Sequence, residues 1–161
     1  EITTRLVGSE MCIRDRWYTN FTPEEQHTML TLWCLFGSPL MLGCELTKLD
    51  DATLALLTNR DVLSMLTPDC KPHQVCLDDE KAIWCAYNAV TGEHFAAFFN
   101  LSDETQTIHC DIETLHVDDE PCAHKDASLT ELWSREKTSV SGSAISVTPP
   151  AHGCLVFRVE N

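Results

Sequence analysis

The residues best suited to holding a metal are His109, Cys110, His116, Cys122 and His124, a run of imidazole and thiol donors in one short stretch. Such side chains bind zinc when four converge, usually from paired spacings of the C-x2-C kind. The gaps here are irregular, and none of the nine cysteines forms a C-x2-C pair. The cluster is therefore a candidate to test, and no resident metal or cofactor is expected. Acid-base chemistry would need carboxylates that face each other across a cleft. Glu24-Glu25 and Asp50-Asp51 instead stand where helices would begin, which the helix dipole alone explains. Asp78-Asp79-Glu80 and Asp118-Asp119-Glu120 read as solvated loops. The sequence has no Gly-rich phosphate loop, nucleophile elbow or HExxH helix, so no catalytic residue is assigned. Asn-x-Ser/Thr triplets at Asn20 and Asn100 occur readily by chance and carry no weight.

The elements that would position such groups belong to a globular chain. Of its 161 residues, 43% are hydrophobic and 22% charged, a balance that excludes disorder. No apolar run approaches the roughly 20 residues a membrane-crossing helix needs. A net charge of -14 repels phosphate backbones, so nucleic acid is not an expected partner. Cys85 alternates with Ile83 and Tyr87, and Cys110 with Ile108 and Ile112, which makes both small buried hydrophobes with free thiols. Reduced cysteines favour a reducing compartment, hence a cytoplasmic location.

Residues 1–16 lack a periodic apolar face, and Val7 to Arg16 resembles a translated sequencing-library adaptor, so this segment is read as non-native. Thr22-Pro23-Glu24-Glu25 has the form of a capped helix start, and Met29, Leu32, Trp33 and Phe36 continue one apolar stripe to about Phe36. Ser38-Pro39 breaks that helix. Leu40-Met41-Leu42 then reads as a strand buried on both faces. A second helix is predicted after Asp50, with Leu54, Leu56 and Leu57 inward and a left-handed end near Asn59. A helical turn follows from Asp61 to Leu66. From about Cys70 the period falls to two. A hairpin is predicted from Lys81–Asn88 and His94–Leu101, turning at Thr91-Gly92. Further strands are expected at residues 105–112, 130–133, 144–147 and 154–159, in a small antiparallel sandwich. The chain thus divides into residues 17–69, an incomplete α/β unit, and residues 70–161, an all-β domain.

Several ordered motifs resemble one family. Thr22-Pro23-Glu24-Glu25-Gln26, Leu32-Trp33, Ser38 to Gly43, Leu46 to Leu49 and Leu56 to Leu63 are similar to the run near the barrel end of glycoside hydrolase family 27. Phe99-Asn100, Leu132-Trp133 and Pro149-Pro150-Ala151-His152-Gly153 are similar to its C-terminal β domain. That family includes α-galactosidases and α-N-acetylgalactosaminidases. The resemblance implies that residues 17–69 are the terminal helix, strand and helix of a (β/α)8 TIM barrel and that the β-sandwich packs against it. Barrel enzymes work at the C-terminal strand ends, so Gly43, Cys44 and Glu45 would lie on the rim of a sugar pocket. Cys44-Glu45 departs from the family, which usually has Asp here. The resemblance also implies that the parent enzyme cleaves α-galactosides with retention, using two carboxyl groups about 5 Å apart. In the family these are aspartates after earlier barrel strands, upstream of Trp17, so the fragment alone is expected to be inactive, with the missing barrel as its intramolecular partner. The other reading is a stand-alone carbohydrate-binding or interaction module in which Trp84 or Trp133 stacks on sugar rather than packing inside.

Overall fold

The computed structural model describes residues 19–43, 46–117, 120–123, 126–140 and 142–160. The first helix, α1, spans Pro23–Leu35. Its capping box forms as predicted: the Thr22 N–H donates to Glu25 Oε2 (2.7 Å) and the Glu25 N–H to Thr22 Oγ1 (3.3 Å). The hydrogen bond from the Thr22 backbone holds the Glu25 carboxyl below the usual carboxylate range. Helix α2 is Asp51–Leu57, with Asp50 capping it through the Thr53 N–H, and α3 is Arg60–Leu63.

Two local expectations change here. Leu54 is solvent-exposed, and only Leu56 and Leu57 of the three leucines turn inward. Asn59 does not end α2 in a left-handed conformation; its φ is -67°, and it caps α3 by accepting the Asp61 and Val62 N–H groups. Its amide also donates to Leu132 O (3.0 Å), so a residue that looked like a helix stop instead ties α3 to the β region.

Among the described residues the strands are β1 Cys70–Leu77, β2 Lys81–Asn88, β3 His94–Asn100, β4 Ile108–Asp111, β5 His116–Val117, β6 Glu120–Pro121, β7 Ser128–Glu131, β8 Lys137–Ser139, β9 Ala144–Val147 and β10 Cys154–Glu160. Six of them make one antiparallel sheet in the order β1-β2-β3-β10-β7-β8. The pairs β4-β9 and β5-β6 form a second layer. The predicted hairpin is β2-β3, with Trp84 opposite Ala97 and Gly92 in the left-handed region (φ +73°) that its turn requires.

This sheet is covered on both sides. Ile83, Cys85, Ala96, Phe98, Phe157 and Val159 face the second layer, where Ile108, Ile112, Leu115 and Ile145 complete a core. On the other face, Ala82, Ala86, Phe95, Ala97, Phe99 and Val156 meet Leu30, Leu35, Leu56 and Val62 of the helices. Three layers result, which is why His94–Asn100 reads as a nearly unbroken apolar run. The helix side is also pinned by polar contacts. Asp61 Oδ2 bonds Arg135 Nε (3.0 Å), Arg158 Nη2 approaches Asp61 Oδ1 (3.6 Å), and Thr28 Oγ1 donates to His152 O (2.9 Å).

Leu40-Met41-Leu42 forms no strand in this chain. A parallel strand is stable only between neighbours, and among the described residues no strand is available to flank it. Met41 is accordingly 70% exposed.

Candidate functional site

The predicted rim lies where α1 ends. Trp33 is buried, and its indole N–H donates to Pro39 O (2.9 Å), which fixes the chain as it leaves the helix. Gly43 is exposed at the end of this segment, while Cys44 and Glu45 lie outside the described residues. Around the same stretch Phe36, Met41, Leu42, Leu46 and Leu54 present large apolar side chains to solvent. The larger β region exposes Leu77, Val90 and Leu101, so the uncovered apolar surface is denser on the shorter helical segment.

Both tryptophans weighed as stacking platforms are occupied by the helix layer. Trp84 meets the ring of Phe36 edge-on at 4.8 Å. Trp133 packs against His27 with centroids 4.4 Å apart and donates to Thr31 Oγ1 (3.0 Å). These are packing contacts between layers. Replacing Trp133 with Phe should keep most of the packing and remove the hydrogen bond, lowering stability by about 1 kcal/mol in urea unfolding. A change in galactose affinity without a change in stability would contradict that role.

Three of the carboxylates singled out in the sequence have structural tasks. Asp50 caps α2, Glu25 closes the box on α1, and Asp78 accepts the Glu80 and Lys81 N–H groups (both 2.9 Å). Glu131 is buried and accepts N–H groups from Trp133 (2.9 Å), Ser134 and Val156 (3.4 Å). Asp118 and Asp119 lie outside the described residues.

The described members of the candidate metal cluster do not converge. His109 Nδ1 pairs with Ser146 Oγ (2.8 Å), Cys110 is buried beside Thr114 (3.4 Å), and Cys122 points at the Phe95 and Ala86 carbonyls (3.4 and 3.8 Å). His116 stands next to His73 instead, and His124 lies outside the described residues. Among the described residues no group of three or more metal-binding side chains assembles. Cys122 is held below the usual thiol range by its hydrogen bond with Cys85, while other buried thiols move the opposite way. Burial pushes Cys34 up to about 12 and Cys70 and Cys154 up to about 11, so all three stay protonated at neutral pH. Cys85 is pushed up by its hydrogen bond to Cys122 and then by burial. His73 was missed by sequence reasoning because β1, which carries it, has Pro72 and no clean alternation.

Residues 78–159 match the family model described as the alpha galactosidase C-terminal beta sandwich domain. The chain belongs to this family. As an α-galactosidase-type C-terminal sandwich it also resembles longer enzymes. It is 25% identical over 146 residues to alpha-galactosidase A of Cellvibrio japonicus, covering 86% of this chain and 36% of that protein. A β-L-arabinopyranosidase of glycoside hydrolase family 27 from Geobacillus stearothermophilus superposes with a TM-score of 0.79 at 30% identity, over 89% of this chain and 32% of that one. Alpha-galactosidase I of Mortierella vinacea shares the fold with a TM-score of 0.75 at 19% identity, over 86% of this chain and 36% of its own. The chain thus spans about a third of the length of these relatives. The family 27 resemblance read from the sequence holds, as does a helical segment followed by an antiparallel β-sandwich.

Proposed function

We propose that the chain is the C-terminal part of a retaining family 27 glycoside hydrolase acting on terminal α-D-galactosides. The observation that carries this reading is the coverage: nearly all of this chain aligns with a third of a family 27 enzyme. The concentration of exposed apolar residues on the helical segment supports it, since the rest of a barrel would cover Met41, Leu42 and Leu46. On this reading residues 17–69 close the barrel, residues 70–161 buttress it, and Gly43, Cys44 and Glu45 line the pocket rim. Hydrolysis requires one carboxylate to attack the anomeric carbon and a second, protonated one to release the departing oxygen. The proposal places both on the upstream barrel. The part described here holds the last barrel elements on a sheet whose two faces are both packed.

The α-galactosidase and β-L-arabinopyranosidase relatives act on related sugars, and an arabinopyranoside lacks only the exocyclic CH2OH of the galactose ring. The full-length parent should therefore be assayed on chromogenic α-D-galactopyranoside, β-L-arabinopyranoside and N-acetyl-α-galactosaminide. The α-galactoside is expected to be cleaved fastest, with a product of retained configuration. Faster cleavage of either other sugar would replace the proposed substrate. The chain by itself is expected to show no turnover, and genuine activity in it would refute the placement of the carboxylates. A stand-alone carbohydrate-binding module is the weaker reading because Trp84 and Trp133 are engaged by the helices.

A further inference from the structure

We propose that His73 and His116 form a two-histidine site for an imidazole-seeking divalent cation of the zinc and nickel class, at the open edge of the sandwich. The two exposed rings come from different elements and meet at a centroid distance of 5.6 Å with an interplanar angle of 32°. A metal-nitrogen bond of about 2.0–2.1 Å puts each ring centroid about 3.2 Å from the ion, so two tetrahedral imidazole ligands have centroids about 5.2 Å apart. The observed spacing differs from that value by less than a side-chain torsion adjusts.

The backbone beneath both rings is held. His73 is opposite Cys85 in the β1-β2 register, on the side of the sheet that faces the second layer. His116 is flanked by buried Leu115 and Val117, and the His116 backbone lies within hydrogen-bonding reach of the Cys85 thiol. Strand β5, paired to β6, packs across β1 and β2, so the two histidines project from neighbouring fixed positions. Preorganised positions of this kind reduce the ordering cost of ligation. Other histidines have other tasks: His109 bonds Ser146, His152 bonds Asp103, and His94 stacks on Tyr87. With two protein ligands, the remaining coordination positions would be taken by water, so the site is open. Its occupation links the β5-β6 hairpin to edge strand β1, and an ion that binds only the folded state raises stability.

Nickel is the appropriate probe because it favours imidazole, whereas zinc is also drawn to thiolates. Nickel chloride should be titrated calorimetrically into the full, tag-free chain under reducing conditions, with thermal unfolding followed in parallel. One saturable site is expected, with a rise in melting temperature. Loss of a partner outside the first coordination sphere alone costs about 10–100-fold in affinity, so H73A and H116A should each weaken binding at least tenfold and abolish the thermal shift. H109A should leave both unchanged. Both targets are exposed, and circular dichroism checks that the variants fold; H73Q and H116Q provide second variants that keep a side chain of similar length. Unchanged nickel affinity in these variants, or no saturable binding to the unsubstituted chain, would overturn the proposal.

Discussion

Asn100→Asp is expected to destabilise the chain by about 3–5 kcal/mol, the scale found when a buried charge loses its partner. Asn100 is 1% exposed at the end of β3, and both ends of its amide are used. Its Nδ2 donates to the carbonyls of Glu104 (2.8 Å), Pro149 (3.2 Å) and Pro150 (2.9 Å). Its Oδ1 accepts from Ser102 N (3.0 Å), Ser102 Oγ (2.7 Å) and Gln106 Nε2 (2.8 Å). One side chain therefore joins the 101–106 loop to the Pro149-Pro150 turn. A carboxylate would set an oxygen against three carbonyl oxygens. Protonation restores one donor, so the variant's folded-state pKa is raised, and its deficit relative to the unsubstituted chain grows as pH rises above about 4. Below that the deficit should stay at its smallest value. Urea midpoints of both proteins between pH 4 and 7 check this, and a deficit under 1 kcal/mol or independent of pH would show that the amide is not the hub of the two loops.

The same residue shows what the sequence discloses. Phe99-Asn100 and Pro149 to Gly153 were recognisable as motifs, but nothing in the chain says that they touch. Pro149 and Asn100 are 49 positions apart, and their contact exists only because β3 and β10 are paired. Gly153 is required for a local reason: a Cβ there would meet Pro150 Cγ at 2.5 Å. Local signals fared better. The capping box at Thr22 and Glu25 is legible because both partners lie within one turn, and the β2-β3 hairpin because alternation and a turn glycine agree.

What was illegible depended on distant partners. Strand β8 is Lys-Thr-Ser, fully exposed, and is a strand only because β7 offers an edge. Strand β7 is Ser128–Glu131 rather than residues 130–133, because Glu131 captures the Trp133 and Ser134 N–H groups and turns the chain. Leu40–Leu42 has the composition of a buried strand, and composition cannot supply the neighbours. The same limit governs the candidate site. His116 was visible as part of a donor-rich stretch, but its ring partner, His73, arrives through sheet register from 43 positions away. Irregular spacing within one stretch says nothing of a ring contact that crosses two layers.

A large packing effect is expected at Phe95, and it bears on whether residues 17–69 and 70–161 behave as separate bodies. Phe95 is fully buried on the helix side of the sheet, in one cluster with Leu30, Leu35 and Val62, while Phe98 is fully buried on the opposite side. If the helices are an integral layer, Phe95→Ala should cost as much as Phe98→Ala, about 3–5 kcal/mol each. If the helices detach readily, Phe95 faces water in part of the population and its truncation becomes cheap while that of Phe98 does not. The distinction can be read twice. Denaturation midpoints give the two penalties, and Trp33, Trp84 and Trp133, all at the helix side, report by fluorescence on the layer that circular dichroism of the sheet does not isolate. Coincident fluorescence and dichroism transitions with equal penalties are expected, because Phe95, Phe99 and Val156 share one buried cluster with Leu30, Leu35, Leu56 and Val62 of the helices. A Phe95→Ala penalty below about 1 kcal/mol, or an earlier fluorescence transition, would mean that the sandwich stands alone and the helices only rest on it.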